Sequence, residues 1–139
     1  EPASVPFPDP TTEQIGKMLA TADVLAQMAD RTYLEKLLFL FYELDEARID
    51  IYEDEVDLLH QSTDFYIRMA QRSEIQLSSS NRFMIHHFKA RWNIDDDLYQ
   101  KAIDKQRVYL TNVLKNAGDD PLDQLRRNRI VEAVKSRRH

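Results

Sequence analysis

Between Pro10 and Pro121 the chain contains no proline, and its two glycines, Gly16 and Gly118, lie near the two ends of that stretch. Proline inside a helix removes a backbone donor and clashes with the preceding turn, and glycine costs about 1 kcal/mol there, so their scarcity marks continuous helical backbone and excludes a strand-and-turn protein. Cysteine is absent altogether. That excludes a disulfide framework, thiol catalysis, a cysteine-held iron–sulfur cluster and cysteine-ligated zinc. The longest strictly apolar run, Leu37 to Tyr42, falls far short of the roughly 20 residues that a bilayer requires. With two distant glycines no phosphate-cradling loop is possible, and the run Ser78-Ser79-Ser80 lacks the glycines of a nucleophile elbow.

Apolar residues recur at helical spacing through almost all of the 139 residues, enough chain for one domain with its own core. The expectation is an all-α bundle of about five helices over 11–139, preceded by a proline-rich extended segment, 1–10, that either follows a removed signal peptide or links domains. A capping box at Thr11-Thr12-Glu13-Gln14 opens helix one, 12–29, whose apolar face carries Ile15, Met18, Leu19, Ala22, Leu25, Ala26 and Ala29. A second box, Thr32 to Glu35, opens a long helix two, 33–76, with a bend expected at Ile49–Tyr52. Leu34 to Leu44 is apolar nearly all the way round, which predicts a central element with Leu38, Phe41 and Leu44 deeply buried. Helix three is expected over 80–92, ending at Asn93, and helix four over 96–116, capped by Asp95 or Asp96 and closed by Gly118. Asp120-Pro121 starts helix five, 121–136.

Charge is unevenly placed. Residues 1–60 hold 14 acids against four bases, whereas Arg126, Arg127, Arg129, Lys135, Arg137 and Arg138 gather at the C-terminus. Glu43, Glu46, Asp50, Glu53, Asp57, His60 and Asp64 form a stripe opposite the apolar side of helix two, which reads as a solvated face. Asp57-x-x-His60 has no matching Glu-x-x-His on another helix, so no metal site is assigned. His86 and His87 are about 100° apart around a helix and cannot share one ion unaided; one is expected buried and one exposed. No catalytic set and no cofactor site emerges, and the reading is non-enzymatic.

Arg82-x-x-x-His86, followed by Phe88 and then Trp92-Asn93-Ile94, resembles the fingerprint of a small module named for its spaced arginine and histidine and associated with single-stranded nucleic acid. The resemblance spans about 78–112 and implies that the arginine and histidine sit on a helix before a turn and a basic strand. This chain departs from it where Asn93 stands in place of glycine, where the alanine falls at Ala90, and where 96–116 reads as helix.

Three functional expectations follow. The first is an interaction module that works through oligomerisation or a partner protein, with Leu58, Phe65, Tyr66 and Met69 as interface residues, because 34–66 carries more large apolar surface than a chain this size readily covers. The second is nucleic-acid binding through Arg82, His86, Lys89, Arg91, Arg126, Arg127 and Arg129. The third is a sensor or regulatory domain of a longer chain. No membrane insertion is expected, and the cytoplasm is favoured over export.

Overall fold

A computed structural model describes residues 6–75, 80–116, 120–125 and 127–136. Six α-helices follow one another: α1 (Pro10–Ala29), α2 (Tyr33–Glu46), α3 (Glu55–Ile75), α4 (Met84–Trp92), α5 (Leu98–Asn116) and α6 (Ile130–Ser136), with no strand among the described residues. Short 3-10 turns occupy Ser80–Phe83, Pro121–Gln124 and Arg127–Arg129. The chain is all-α, as its proline and glycine usage requires.

Helices α2 and α5 share the centre: α2 touches α1, α3, α5 and α6, and α5 touches α1, α2, α3 and α4. The centre is built of leucines: Leu34, Leu38, Leu58, Leu59 and Leu110 are almost wholly buried, with Met28, Ile103, Val113, Leu125 and Val131 around them. Two hydroxyl residues on buried helix faces are satisfied within their own helices. Thr21 Oγ1 donates to the Lys17 carbonyl at 2.7 Å, and Ser62 Oγ donates to the Leu58 carbonyl at 2.7 Å.

The long helix expected over 33–76 is two helices. Helix α2 ends in a Schellman arrangement: Arg48 takes the left-handed conformation (φ 56°), its N–H donates to Asp45 O at 3.0 Å, and the Ile49 N–H reaches Leu44 O at 2.9 Å. Helix α3 then opens on Asp54, whose carboxylate accepts from the Asp57 N–H at 2.7 Å, while the Asp57 carboxylate accepts from the Glu53 N–H at 3.1 Å. The pair is an all-acid variant of the Ser–Glu capping box, with the returning carboxylate reaching the N–H of Glu53, one residue before the cap, and it places the break around the predicted bend at 49–52. The end of the long helix at 76 falls outside the described residues, as do Ser78, Ser79, Gly118 and Arg126.

Other boundaries shift for the same reason, a competing cap. Asp9, not Thr11, caps α1, accepting from the Thr11 and Thr12 N–H groups at 2.9 Å each, and Pro10 takes the first helical position. Asp97, not Asp95 or Asp96, caps α5, accepting from the Gln100 N–H at 3.0 Å. Asp120 caps the following turn as expected, accepting from Leu122 N–H at 2.8 Å, but the helix predicted over 121–136 is divided into two 3-10 turns and the short α6. Residues 80–83 likewise form a 3-10 turn before α4. Asn93 does end α4 in the left-handed region, φ 55°. Gly16 is tolerated inside α1 because the Phe7 ring lies over it: a Cβ there would stand 2.9 Å from Phe7 Cε1.

Candidate functional site

The four residues expected at an interface are part of the core. Leu58 and Tyr66 are buried, and Phe65 and Met69 are half-buried against the same cluster. Neither Leu58 nor Tyr66 presents surface to a partner, because α3 turns this side toward α2 and α5 rather than outward. Phe41 and Leu44 are only half-buried, and Phe39 and Leu40 on the same helix are exposed, so Leu38 alone of the predicted trio is deep. The all-round apolar character of 34–44 therefore reflects one buried side and one partly exposed side.

The largest displacement of apolar surface is on α1. Ile15 is 61% exposed, Met18 41% and Leu19 71%, with Ala22 and Ala26 exposed in the same row, whereas Thr21 and Met28 are buried. The face expected to pack inward is thus turned largely outward over its first three turns, and only toward Leu25 and Ala29 does it reach the core. The helix buries Thr21, its hydroxyl satisfied by the Lys17 carbonyl, together with Met28, and leaves Ile15, Met18 and Leu19 in water.

A second exposed surface is α4 with its flanking turns. Phe83 and Trp92 (52% exposed) alternate with Arg82, Lys89 and Arg91. Arg82 lies over the Phe83 ring at 4.8 Å and Arg91 over Trp92 at 5.1 Å, and no acid occurs from 80 to 94. His86 and His87 are both exposed, contrary to the expectation of one inside and one outside; His86 stacks at a tilt on Phe83 and His87 meets Phe88 and Trp92 edge-on. Lys89 pairs with Asp95 at 3.6 Å. The basic strand implied by the resemblance is absent, since 98–116 is helix.

Of the C-terminal arginines expected to bind nucleic acid, Arg127 and Arg129 are among the described residues and Arg126 is not. Arg127 is enlisted structurally: its guanidinium lies 3.7 Å over the Tyr109 ring, and Nη1 donates to Gln106 Oε1 at 2.6 Å and to the Arg31 carbonyl. Arg129 is exposed, with φ 54°. Around Arg127 lies a buried polar cluster that no local motif foreshadows. Glu35, fully buried, accepts from the Arg127 N–H at 3.3 Å and the Tyr109 hydroxyl at 3.4 Å, while Gln106 donates to the Asp30 carbonyl. Thr32-x-x-Glu35 had the spacing of a capping box, yet Thr32 makes no cap bond; it turns to Asp30, its N–H and hydroxyl each donating at 2.8 Å, and Glu35 is left to the interior. Glu35 Oε2 and the Tyr66 hydroxyl have no protein partner among the described residues.

Between α2 and α3, against the end of α1, lies a cleft of about 370 Å3 lined in part by Tyr33, Tyr52 and Phe65. Asp57 and His60 do not converge with other ligands: Asp57 accepts from Gln61 Nε2 at 2.9 Å as well as from Glu53, and His60 is exposed. No group of three or more acidic or histidine side chains among the described residues is placed to hold a metal, and no described helix is long and apolar enough to cross a membrane. No family model matches the chain, and neither a curated protein nor a solved structure matches it.

Proposed function

We propose that the protein is a non-enzymatic helical interaction module whose contact surface is the outward row of α1, and that it self-associates there. The observation that carries this reading is the exposure of Ile15, Met18 and Leu19 in a row continued by Ala22 and Ala26. Positions 15, 18/19, 22, 25/26 and 29 follow the three-four spacing of a helix seam. Antiparallel pairing of two copies about a two-fold axis level with 20–21 sets Ile15 against Ala26 and Leu19 against Ala22, large side chains against small ones within the exposed row. Such an interface is isologous, and its short length puts it at the weak end, roughly micromolar or weaker. Sedimentation velocity over a range of concentrations tests it. A reversible dimer that Leu19→Glu abolishes without loss of helicity is expected; a monomer at all concentrations, or a dimer indifferent to Leu19→Glu, overturns the reading.

The surface of α4 favours a second reading, contact with single-stranded nucleic acid. Exposed Phe83 and Trp92 interleaved with Arg82, Lys89 and Arg91 have the makings of a stacking platform with cations beside it. Fluorescence anisotropy with labelled single strands is the test. Binding must weaken steeply with salt and be lost on changing Trp92 and Arg82 to Ala.

A further inference from the structure

The α2–α3 cleft has the volume of a small-molecule site, about 370 Å3. Leu37 and Leu58 give it apolar walls, and three aromatic rings, Tyr33, Tyr52 and Phe65, line it together with the carboxylate of Asp30. The hydroxyls of Tyr33 and Tyr52 have no hydrogen-bond partner among the described residues. The charged side chains of the described lining are Asp30 and Lys36, and they are bound to each other.

We propose that this cleft binds a small organic cation, an ammonium or quaternary ammonium group on an apolar body, with the faces of Tyr33, Tyr52 and Phe65 around the charge and Asp30 as its counter-ion. Aromatic rings attract a cation through their quadrupole, most strongly where water is excluded, and three rings with one carboxylate supply both the attraction and the charge balance. An anion finds no such reception. The one lysine at the cleft is already held by Asp30, and residues 1–60 as a whole carry 14 acids against four bases. Asp30 is fully ionised at neutral pH, its carboxyl held down to about 2 by the Lys36 ammonium and the Thr32 N–H. Burial pushes the Tyr33 phenol up to about 12, so it adds no competing negative charge and remains a neutral donor or acceptor.

Lys36 is then the resident competitor. Its side chain is 52% exposed and flexible, so it can leave Asp30 for water when a ligand cation arrives. Removing it strengthens binding of a cation and leaves a neutral ligand unaffected.

Titration of the full chain with benzyltrimethylammonium, benzyl alcohol and benzoate, followed by amide shifts in NMR, tests the proposal. Saturable shifts on α2 and α3 are expected with benzyltrimethylammonium, with benzyl alcohol and benzoate at least about tenfold weaker. Lys36→Gln should tighten the cation's affinity about threefold or more, and Tyr52→Leu should weaken it about fivefold with helicity retained. No saturable response to the cation up to about 10 mM, equal binding of the alcohol or benzoate, or an affinity unchanged by Lys36→Gln overturns it.

Discussion

Replacing Arg127 by alanine should destabilise the fold by about 3 kcal/mol, because one side chain ties three parts of the chain together. The guanidinium holds the Arg31 carbonyl in the α1–α2 turn and Gln106 on α5, and it covers the Tyr109 ring. Hydrogen bonds from a charged donor contribute about 1.5–3 kcal/mol when buried, and a cation over an aromatic face about 0.5–2 kcal/mol. The arginine is partly exposed, which lowers each figure, but Gln106 is not: at 2% exposure its Oε1 is left without this donor in a site that water does not freely reach. A total near 3 kcal/mol corresponds to a fall of about 10 °C in melting temperature for a chain of this size. Arg127→Lys should recover less than half, since an ammonium has neither the planar fork nor the stacking face. Urea unfolding followed by circular dichroism at 222 nm measures both variants. A loss below about 1 kcal/mol for alanine, or full recovery by lysine, would refute the view that this arginine is a structural tie.

Leu38→Ala should cost about 3–5 kcal/mol in the same assay, and Phe41→Ala less, about 2–3 kcal/mol, because Leu38 is deep and Phe41 is half-buried. Arg48→Gly should stabilise by roughly 0.5–1 kcal/mol, since glycine takes the left-handed position without the Cβ penalty and returns part of the gain as chain entropy. The Asp30 carboxyl, held at about 2 against an ordinary 3.8, favours the folded state above about pH 4, and that contribution should fade as pH drops toward 2; a carbon-detected NMR titration of Asp30 gives the folded value directly. EDTA should leave the melting temperature unchanged, and elemental analysis should find no stoichiometric iron, manganese or zinc; a tightly held ion would contradict the capping role of the Asp57 carboxylate.

The helical class was legible because it depends on residue types that are missing, and no tertiary contact reverses the effect of a missing proline. Asn93 and Asp120-Pro121 were legible for a related reason: left-handed caps and first-turn prolines are local devices. The break at 47–54 was harder. Its stop is an arginine in the left-handed region, which carries no composition signal, and its start is Asp54-x-x-Asp57, a capping pair that lay in the sequence disguised among neighbouring acids. The polar cluster was out of reach. Glu35, Gln106 and Arg127 come together from pairwise separations of 21, 71 and 92 positions, and nothing in any one segment says that its polar side chain will meet the others.

Helix α1 shows why periodicity alone does not decide which face is inside. A row at 15, 18, 19, 22 and 26 is the more apolar one, yet the row through Thr21 and Met28 is the one buried. Burying a threonine is nearly free of penalty when its hydroxyl donates to the carbonyl four residues back, so the interior face of a helix need not be its most apolar face. What does carry a penalty is leaving Ile15 and Leu19 in water, at about 25 cal/mol for each Å2 of apolar area. A contact that covers them recovers that free energy, and the same contact leaves the core of α2, α3 and α5 untouched. The bundle and its outward row are thus separable: changes at Leu34 or Leu38 act on folding, changes at Ile15 or Leu19 act on association, and a variant such as Leu19→Glu distinguishes the two by altering the sedimentation of the protein while leaving its unfolding free energy within about 0.5 kcal/mol.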